Sequence, residues 1–360
     1  MADQLDGRPE GPIMDYKTFQ ELRLDLRADQ QPTGNPNDAD PAVAAASQRQ
    51  VELDAAAAAM DIALYGQLGP EADAPPAGVP RGTITPHLRW AGSSVYPATE
   101  WDIWVYAPPA AAAAGTVAAG GPASLMVFMD GNSYLDPLGQ VRAANVFDNM
   151  IHSRELDPIV GVFVTPGRRR SRLVPKEPAA GLQAIGATAL DDGGQQRGFE
   201  YDSLTDLYSR FIIDEVLPAT TAGLSISPDP ARRAVCGMSS GGICAFNIAW
   251  RRPEHFGLVI SHCGSFVNLR GGHNFPWVVR NTAPRRPIQK ILLQSGQHDL
   301  VKPRGDWPLA NKVLAAALEF AGYDFQFHFG DGIHSRRHGG CLFPSTLRWM
   351  LPPAAGASKL

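Results

Sequence analysis

Several features that would place this chain in a specialised class are missing from its sequence. No apolar stretch approaches the ~18 residues of a transmembrane helix, and the first ten residues lack the apolar segment of a secretory signal. The formal net charge of -4 gives no basic excess of the kind that nucleic acids or anionic membranes attract. We therefore expect a cytoplasmic protein with no nucleic-acid partner and no membrane partner.

Cysteine is scarce, and its spacing argues against two further classes. The four cysteines form no CxxC pair and have no zinc-ligand spacing; they are Cys236, Cys244, Cys263 and Cys341. The sequence therefore predicts free thiols in a reducing compartment, with no disulfide framework and no metal site.

What the sequence does contain is the composition of a globular protein. Its 360 residues are 44% hydrophobic and 19% charged, enough to bury a sizeable core. Residues 1–40 are polar and aperiodic, residues 41–66 are rich in the strong helix former Ala, and residues 67–82 are rich in Pro and Gly. We predict an N-terminal extension over residues 1–80, partly disordered with one helix, followed by the main domain over residues 81–354.

From about Thr83, short apolar runs alternate with helical patterns. The runs predict strands at Trp101–Tyr106, Leu125–Met129, Ile159–Val164, Ala234–Cys236, Leu258–Ser261, Ile291–Gln294 and Phe325–Phe329. Helical patterns cover Leu204–Leu217, Leu309–Phe320 and Phe343–Leu351. This alternation predicts the α/β class, with a mostly parallel central sheet and helices on both of its faces.

One motif carries chemistry, the Gly-x-Ser-x-Gly of Gly237–Gly241, which lies between an apolar strand and the apolar helix Ile243–Trp250. Glycines two residues to either side let the strand and the helix pass closely, and the serine is lifted above the sheet in a strained turn. The spacing predicts Ser239 as a nucleophile. Ser240 is a rival only in a register that would need glycine at position 238, which is Met.

A serine hydroxyl needs a base, and the base needs an orienting carboxylate. After a nucleophile elbow these follow in the order acid and then histidine, each beyond a late strand. Asp299, after the sixth predicted strand, is the predicted acid; the alternative, Asp306, is otherwise a helix cap. His334, after the seventh, is the predicted base, with His338 one helical turn away as the alternative.

Backbone amides are expected to form an oxyanion hole beside the serine. The amide of Ser240 opens a helix, where it is aimed at developing negative charge. The second donor is the amide of Asn132 or Gly131, in the loop after the Leu125–Met129 strand, which Asp130 is expected to brace.

Other side chains are candidates for contact with a substrate. The arginines follow a predicted strand and are suited to an anionic or chelating group; the alternative is a solvated loop. Trp307 is suited to the wall of a pocket; the alternative is a place in the hydrophobic core. The predicted substrate-binding residues are Arg168, Arg169, Arg170, Trp307 and His338. We also expect Arg197 and Glu200 to form a buried pair that positions their loop.

Taken together, these motifs resemble those of the enterochelin esterase-like family of α/β-hydrolases, which is close to esterase D and the feruloyl esterases. The resemblance covers roughly residues 83–352 and is carried by Val127–Gly131, Glu200–Asp202, Gly237–Gly242, Gly264–Phe266, Gly305–Asn311 and His334–Gly340. It implies ester hydrolysis through an acyl-enzyme intermediate, with no metal and no organic cofactor. Relatives handle siderophore trilactones, feruloyl or acetyl esters of carbohydrate, and thioesters.

We therefore predict a serine esterase with the α/β-hydrolase fold, a Ser239-His334-Asp299 triad and a small-molecule ester as substrate. The alternatives are an acyltransferase that uses the same triad, a siderophore trilactone hydrolase, and a non-catalytic binding module with the hydrolase fold. The sequence leaves open whether the protein is a homo-oligomer.

Overall fold

The computed structural model describes residues 41–108, 121–169 and 196–353. The predicted substrate-binding residue Arg170 and the polar segment 1–40 lie outside these residues. The described chain divides between Met60 and Asp61 into two compact units. The described residues of the first unit form most of one long helix, and the second unit contains the sheet.

The strands of the second unit form one large mixed sheet and a small two-stranded one. The large sheet has the order β1-β2-β4-β3-β6-β7-β8-β11, with β5 paired to β2, and β9 pairs with β10. The strands are β1 Thr83–Trp90, β2 Thr99–Ala107, β3 Ser124–Met129, β4 Ile159–Val164, β5 Arg168–Arg169, β6 Arg233–Met238, β7 Leu258–His262, β8 Lys290–His298, β9 Val301–Lys302, β10 Gly305–Asp306 and β11 Phe325–Ile333. In the spatial order β4-β3-β6-β7-β8-β11 every pairing is parallel, so the mostly parallel sheet is confirmed.

The helices connect these strands. They are α1 Pro41–Tyr65, α2 Gly131–Leu135, α3 Ala143–His152, α4 Arg197–Asp202, α5 Leu207–Arg210, α6 Leu217–Thr220, α7 Ser240–Arg251, α8 Phe275–Asn281, α9 Trp307–Phe320 and α10 Arg337–Met350. A π-helical stretch, Phe211–Val216, joins α5 to α6.

Apolar side chains cover the sheet on both faces. Along β3, Leu125 and Val127 belong to one core cluster, which includes α7 and α9 residues. The intervening Met126 and Phe128 belong to a second cluster, with residues of α3 and α10. Because successive strand residues point to opposite faces, this alternation places helices on both sides of the sheet, as predicted. The carboxyl ends of the parallel strands then share one edge.

All seven predicted strands are present, whereas some helix ends differ. The predicted helix at Leu204 begins at Leu207, after Asp206. The last helix begins at Arg337 rather than Phe343, so it includes His338. Strand β1 was missed because most of it is exposed at the sheet edge, where no continuous apolar run is required. In the part of the chain that the structure describes, no helix is both long and apolar enough to cross a membrane.

Candidate active site

Ser239 lies at a tight turn between β6 and α7. Its backbone angles are φ 60° and ψ -123°, a region that side-chain-bearing residues rarely adopt. A Cβ atom on Gly237 would lie 2.9 Å from the Cα of Gly241 and closer still to that residue's carbonyl group. The two glycines therefore allow the strand and the helix to approach, which forces the serine into this strained conformation.

The predicted acid and base are hydrogen-bonded to each other. His334 Nδ1 lies 2.5 Å from Asp299 Oδ1. The Asp299 side chain is fully buried, and its carboxylate also accepts bonds from the Leu300 amide and the Ser295 hydroxyl. These bonds fix the carboxylate, which in turn can hold the imidazole in one orientation.

The serine and the histidine are connected by Ser265, which the sequence did not single out, and by the predicted substrate-binding residue Trp307. The Ser265 hydroxyl oxygen lies 3.2 Å from Ser239 Oγ and accepts a 3.1 Å bond from Trp307 Nε1. The Trp307 ring packs edge-on against the His334 ring, with their centroids 6.1 Å apart. Among the described residues, Ser239 Oγ has its hydrogen bond with Ser265 and none with His334. Either hydroxyl can be the donor of the Ser239–Ser265 bond.

The two predicted oxyanion amides come from neighbouring helix starts. Ser240 is the first residue of α7, and Gly131 and Asn132 begin α2. The first amides of a helix have no partner within the helix, so they can bind negative charge. Gly131 is required by close packing, because a Cβ there would lie 2.5 Å from Phe163 Cα.

Asp130 braces the α2 loop, as expected, through a partner that the sequence did not predict. Its carboxylate receives two 2.8 Å bonds from Arg197, which also donates to the Met238 carbonyl beside the elbow. The predicted pair of Arg197 with Glu200 is therefore wrong. Although the two residues share the short helix α4, the guanidinium turns toward the sheet edge, where the Asp130 carboxylate lies.

Glu200 is buried and has other partners. Its carboxylate accepts bonds from Trp101 Nε1 at 3.2 Å and from the Gly167 amide at 3.0 Å. Burial raises its pKa to about 7, because these two bonds offset only part of the lost hydration.

An open polar cleft of about 400 Å³ lies beside the α2 loop. Its lining includes Asp102, Asp130, Asn132, Arg168, Arg197 and Arg336. Arg168 reaches it while paired to Asp102 at 2.7 Å. Arg169, the next residue in β5, is exposed and is not among the residues that line the cleft.

The alternative site residues have other partners. Asp306 caps α9, where its carboxylate accepts the Leu309 amide at 2.8 Å. His338 stacks on Tyr65, with ring centroids 4.2 Å apart, and its Nδ1 lies 3.2 Å from Gln294 Nε2.

The Ser240 side chain is also engaged elsewhere. Its hydroxyl donates to Asp202, and the residue is only 6% exposed. Its backbone amide, rather than its hydroxyl, is the group available for chemistry.

One cluster of described residues could hold a metal ion. Cys263, Asp299 and His334 offer ligand atoms within 4.8 Å of one another. Burial raises the pKa of the Cys263 thiol well above its usual value, which disfavours the thiolate that a metal would need. All four cysteines of the chain are free.

The fold is that of an α/β-hydrolase. Residues 94–347 match the family model Esterase, whose description is "Putative esterase". The match covers more than half of the 360 residues, and the chain belongs to this esterase family. Among proteins of curated function, none matches the sequence significantly.

Solved structures of esterases share the fold. The enterobactin esterase of Shigella flexneri aligns with a TM-score of 0.57 at 19% identity, over 79% of this chain and 62% of its own. The ferric enterobactin esterase of Salmonella typhimurium gives 0.56 and 19%, over 79% and 62%. The ferulic acid esterase of Anaeromyces mucronatus gives 0.56 and 14%, over 79% and 97%. The chain thus spans less than two thirds of the enterobactin esterases, and at these identities the likeness shows the fold alone.

Proposed function

We propose that this protein hydrolyses a small-molecule carboxylic ester, with Ser239 as the nucleophile, His334 as the base and Asp299 as the orienting acid. The observation that carries the proposal is the hydrogen bond between His334 and the buried Asp299, at the sheet edge where Ser239 lies in its strained turn. Asp299, His334 and Ser239 follow the strands β8, β11 and β6, respectively. These strands belong to the parallel part of the large sheet.

In the proposed reaction, His334 takes the Ser239 proton as the serine oxygen attacks the ester carbonyl carbon. The carbonyl oxygen gains the negative charge, which the amides of Ser240 and of Asn132 or Gly131 stabilise. His334 then gives its proton to the leaving alcohol, and the acyl-enzyme forms. Water repeats the sequence on the acyl-enzyme and releases the acid.

Ser265 has a supporting role in this scheme. We propose that the Ser265 hydroxyl is the donor in its bond with Ser239 Oγ, which leaves the Ser239 proton free to point toward the base. This requires a modest rearrangement of the serine and imidazole on substrate binding, which is common for nucleophile–base pairs in unliganded enzymes.

We further propose that the cleft beside Asn132 binds the polar part of the substrate. Three guanidinium groups face two carboxylates there, which leaves one formal positive charge in excess. An ester with an anionic or chelating substituent fits this balance. A siderophore trilactone is one such substrate, and the enterobactin esterases with this fold make it a test compound. The cytoplasmic location stays a prediction.

Fluorophosphonate labelling with peptide mapping tests the nucleophile. The wild-type protein is expected to be labelled on Ser239, and the Ser239→Ala variant is expected to lose both the label and hydrolysis of p-nitrophenyl acetate. Ser345→Ala, an exposed helix serine, is the matched control and should behave as the wild type. A folded wild-type protein that takes no label would instead favour the non-catalytic binding module.

Product analysis with added acceptor alcohols tests hydrolysis against acyl transfer. Hydrolysis predicts that free acid remains the main product, whereas a new ester as the main product would identify an acyltransferase.

A further inference from the structure

A buried carboxylate outside the triad holds the loop that carries His334. Asp61 is completely buried, and it lies near the end of α1, far upstream in the sequence. Its Oδ1 accepts the Ile333 amide at 3.2 Å, and its Oδ2 accepts the Ser335 hydroxyl at 2.8 Å. Oδ2 also receives Arg337 Nη1 at 3.0 Å.

These bonds attach the residues immediately before and after His334. Asp299 fixes the imidazole ring, but it does not fix the backbone from which the ring extends. The Asp61 bonds restrain this backbone on both sides of the histidine, at Ile333 and at Ser335. The loop also packs closely there, since a Cβ on Gly332 would lie 3.1 Å from Asp61 Oδ1.

A second contact from the same turn of helix supports the loop. Tyr65, four residues after Asp61, stacks on His338 at the start of α10 with an angle of 14° between the rings. The segment from Asp61 to Tyr65 therefore contacts the loop on both sides of His334. This segment precedes residue 94, where the family match begins, so the family pattern does not include it.

The partners of Asp61, rather than the number of its bonds, indicate its role. Two of the three bonds go to the neighbours of His334, and the carboxylate is buried although Arg337 keeps 27% of its side chain exposed. A buried carboxylate destabilises the fold unless it is fully hydrogen-bonded. Because most of the bonds that satisfy Asp61 go to this loop, they indicate that the carboxylate positions the loop.

We infer that Asp61 is a positioning residue for His334, an inference that rests on the proposed function. Loss of these bonds lets the loop shift, and a misplacement of about 1 Å can reduce turnover by about 10²-fold. Substrate contacts outside the loop are unchanged, so the loss falls on kcat rather than on KM.

The test uses the full chain with Asp61→Ala and Asp61→Asn, assayed on p-nitrophenyl acetate. We expect Asp61→Ala to lower kcat by about 10- to 100-fold with little change in KM, and to slow fluorophosphonate labelling of Ser239 by a similar factor. Asp61→Asn is expected to be intermediate, because the amide oxygen can still accept the Ile333 N–H. Asp54→Ala is the control, since Asp54 is exposed on the same helix and accepts a bond from Gln50.

Two results would overturn the inference while leaving the proposed function intact. One is an Asp61→Ala protein whose kcat and labelling rate stay within about 2-fold of wild type while Ser239→Ala is inactive. The other is a lower melting temperature with unchanged kinetics, which would make Asp61 merely structural. If Ser239→Ala itself keeps activity, the proposed function fails, and the inference about Asp61 fails with it.

Should Asp61→Ala not fold, Ser335→Ala and the double variant Asp61→Asn/Ser335→Ala replace it. Residues that act through one bond have non-additive effects. The double variant should therefore be little worse than the more impaired single variant. Multiplied losses would show that the two residues act separately and would overturn the inference.

Discussion

Replacing Ser239 by glycine separates the conformational cost of the elbow from its chemistry. At φ 60° and ψ -123° a residue with a Cβ atom is strained by about 1–3 kcal/mol, whereas glycine adopts positive φ readily. Glycine also carries an entropic cost of about 0.5–1 kcal/mol in the folded state. The difference leaves Ser239→Gly more stable than Ser239→Ala by about 1 kcal/mol.

The comparison with alanine is what makes the experiment specific. Both variants lack the hydroxyl and its contact with Ser265, so both should be inactive toward esters and differ only in backbone strain. Urea denaturation followed by fluorescence, at fixed pH and protein concentration, gives the difference in the free energy of unfolding.

Ser345 provides the control site. It is exposed within helix α10, one residue after Pro344, and because glycine is disfavoured in a helix, Ser345→Gly should be less stable than Ser345→Ala by about 1 kcal/mol. The sign of the glycine–alanine difference should therefore reverse between the two sites. If Ser239→Gly is destabilised relative to Ser239→Ala as Ser345→Gly is, the elbow holds no strain and the reasoning is refuted.

The remaining predictions concern protons and metals. The raised pKa of Glu200, about 7 against an ordinary 4.5, means that the folded state keeps a proton that the unfolded state has released. The free energy of unfolding should therefore fall as the pH rises from 4.5 to 7, by up to about 3 kcal/mol. Glu200→Gln should flatten this decline in urea titrations, and an unchanged slope would contradict the assignment. His334→Ala should lower kcat by at least about 10²-fold, and His338→Ala should retain most activity; the reverse ranking would make His338 the base. Dialysis against EDTA should leave hydrolysis unchanged, whereas a loss restored by added Zn²⁺ would assign a metal to the cysteine–aspartate–histidine cluster.

The sequence predicted most of the sheet because the central strands are buried on both faces. A strand such as β4, Ile159–Val164, has to be apolar along its whole length, and its predicted bounds are the same as those in the structure. Strand β1 is exposed at the edge and gave no such signal. The π-helical stretch Phe211–Val216 was also missed, since its apolar spacing fits an ordinary helix as well.

The residues nearest the proposed chemistry could be predicted because local order along the chain constrains them. Gly237, Ser239 and Gly241 lie in one turn, while Asp299 and His334 each follow a late strand. Their partners could not be predicted, because those contacts join distant segments. Arg197 binds Asp130 across 67 residues, and the contacts of Asp61 with the histidine loop span more than 270.

The sequence by itself thus determined the fold class and the elbow, and it supplied the candidates for a triad, since each depends on short patterns of apolar residues, glycines and turn positions. Only the tertiary structure showed that His334 is hydrogen-bonded to Asp299 and that Asp306 caps a helix. Those contacts depend on side-chain directions and on which buried groups satisfy one another's hydrogen bonds. Such pairings are fixed only when the strands come together in one sheet.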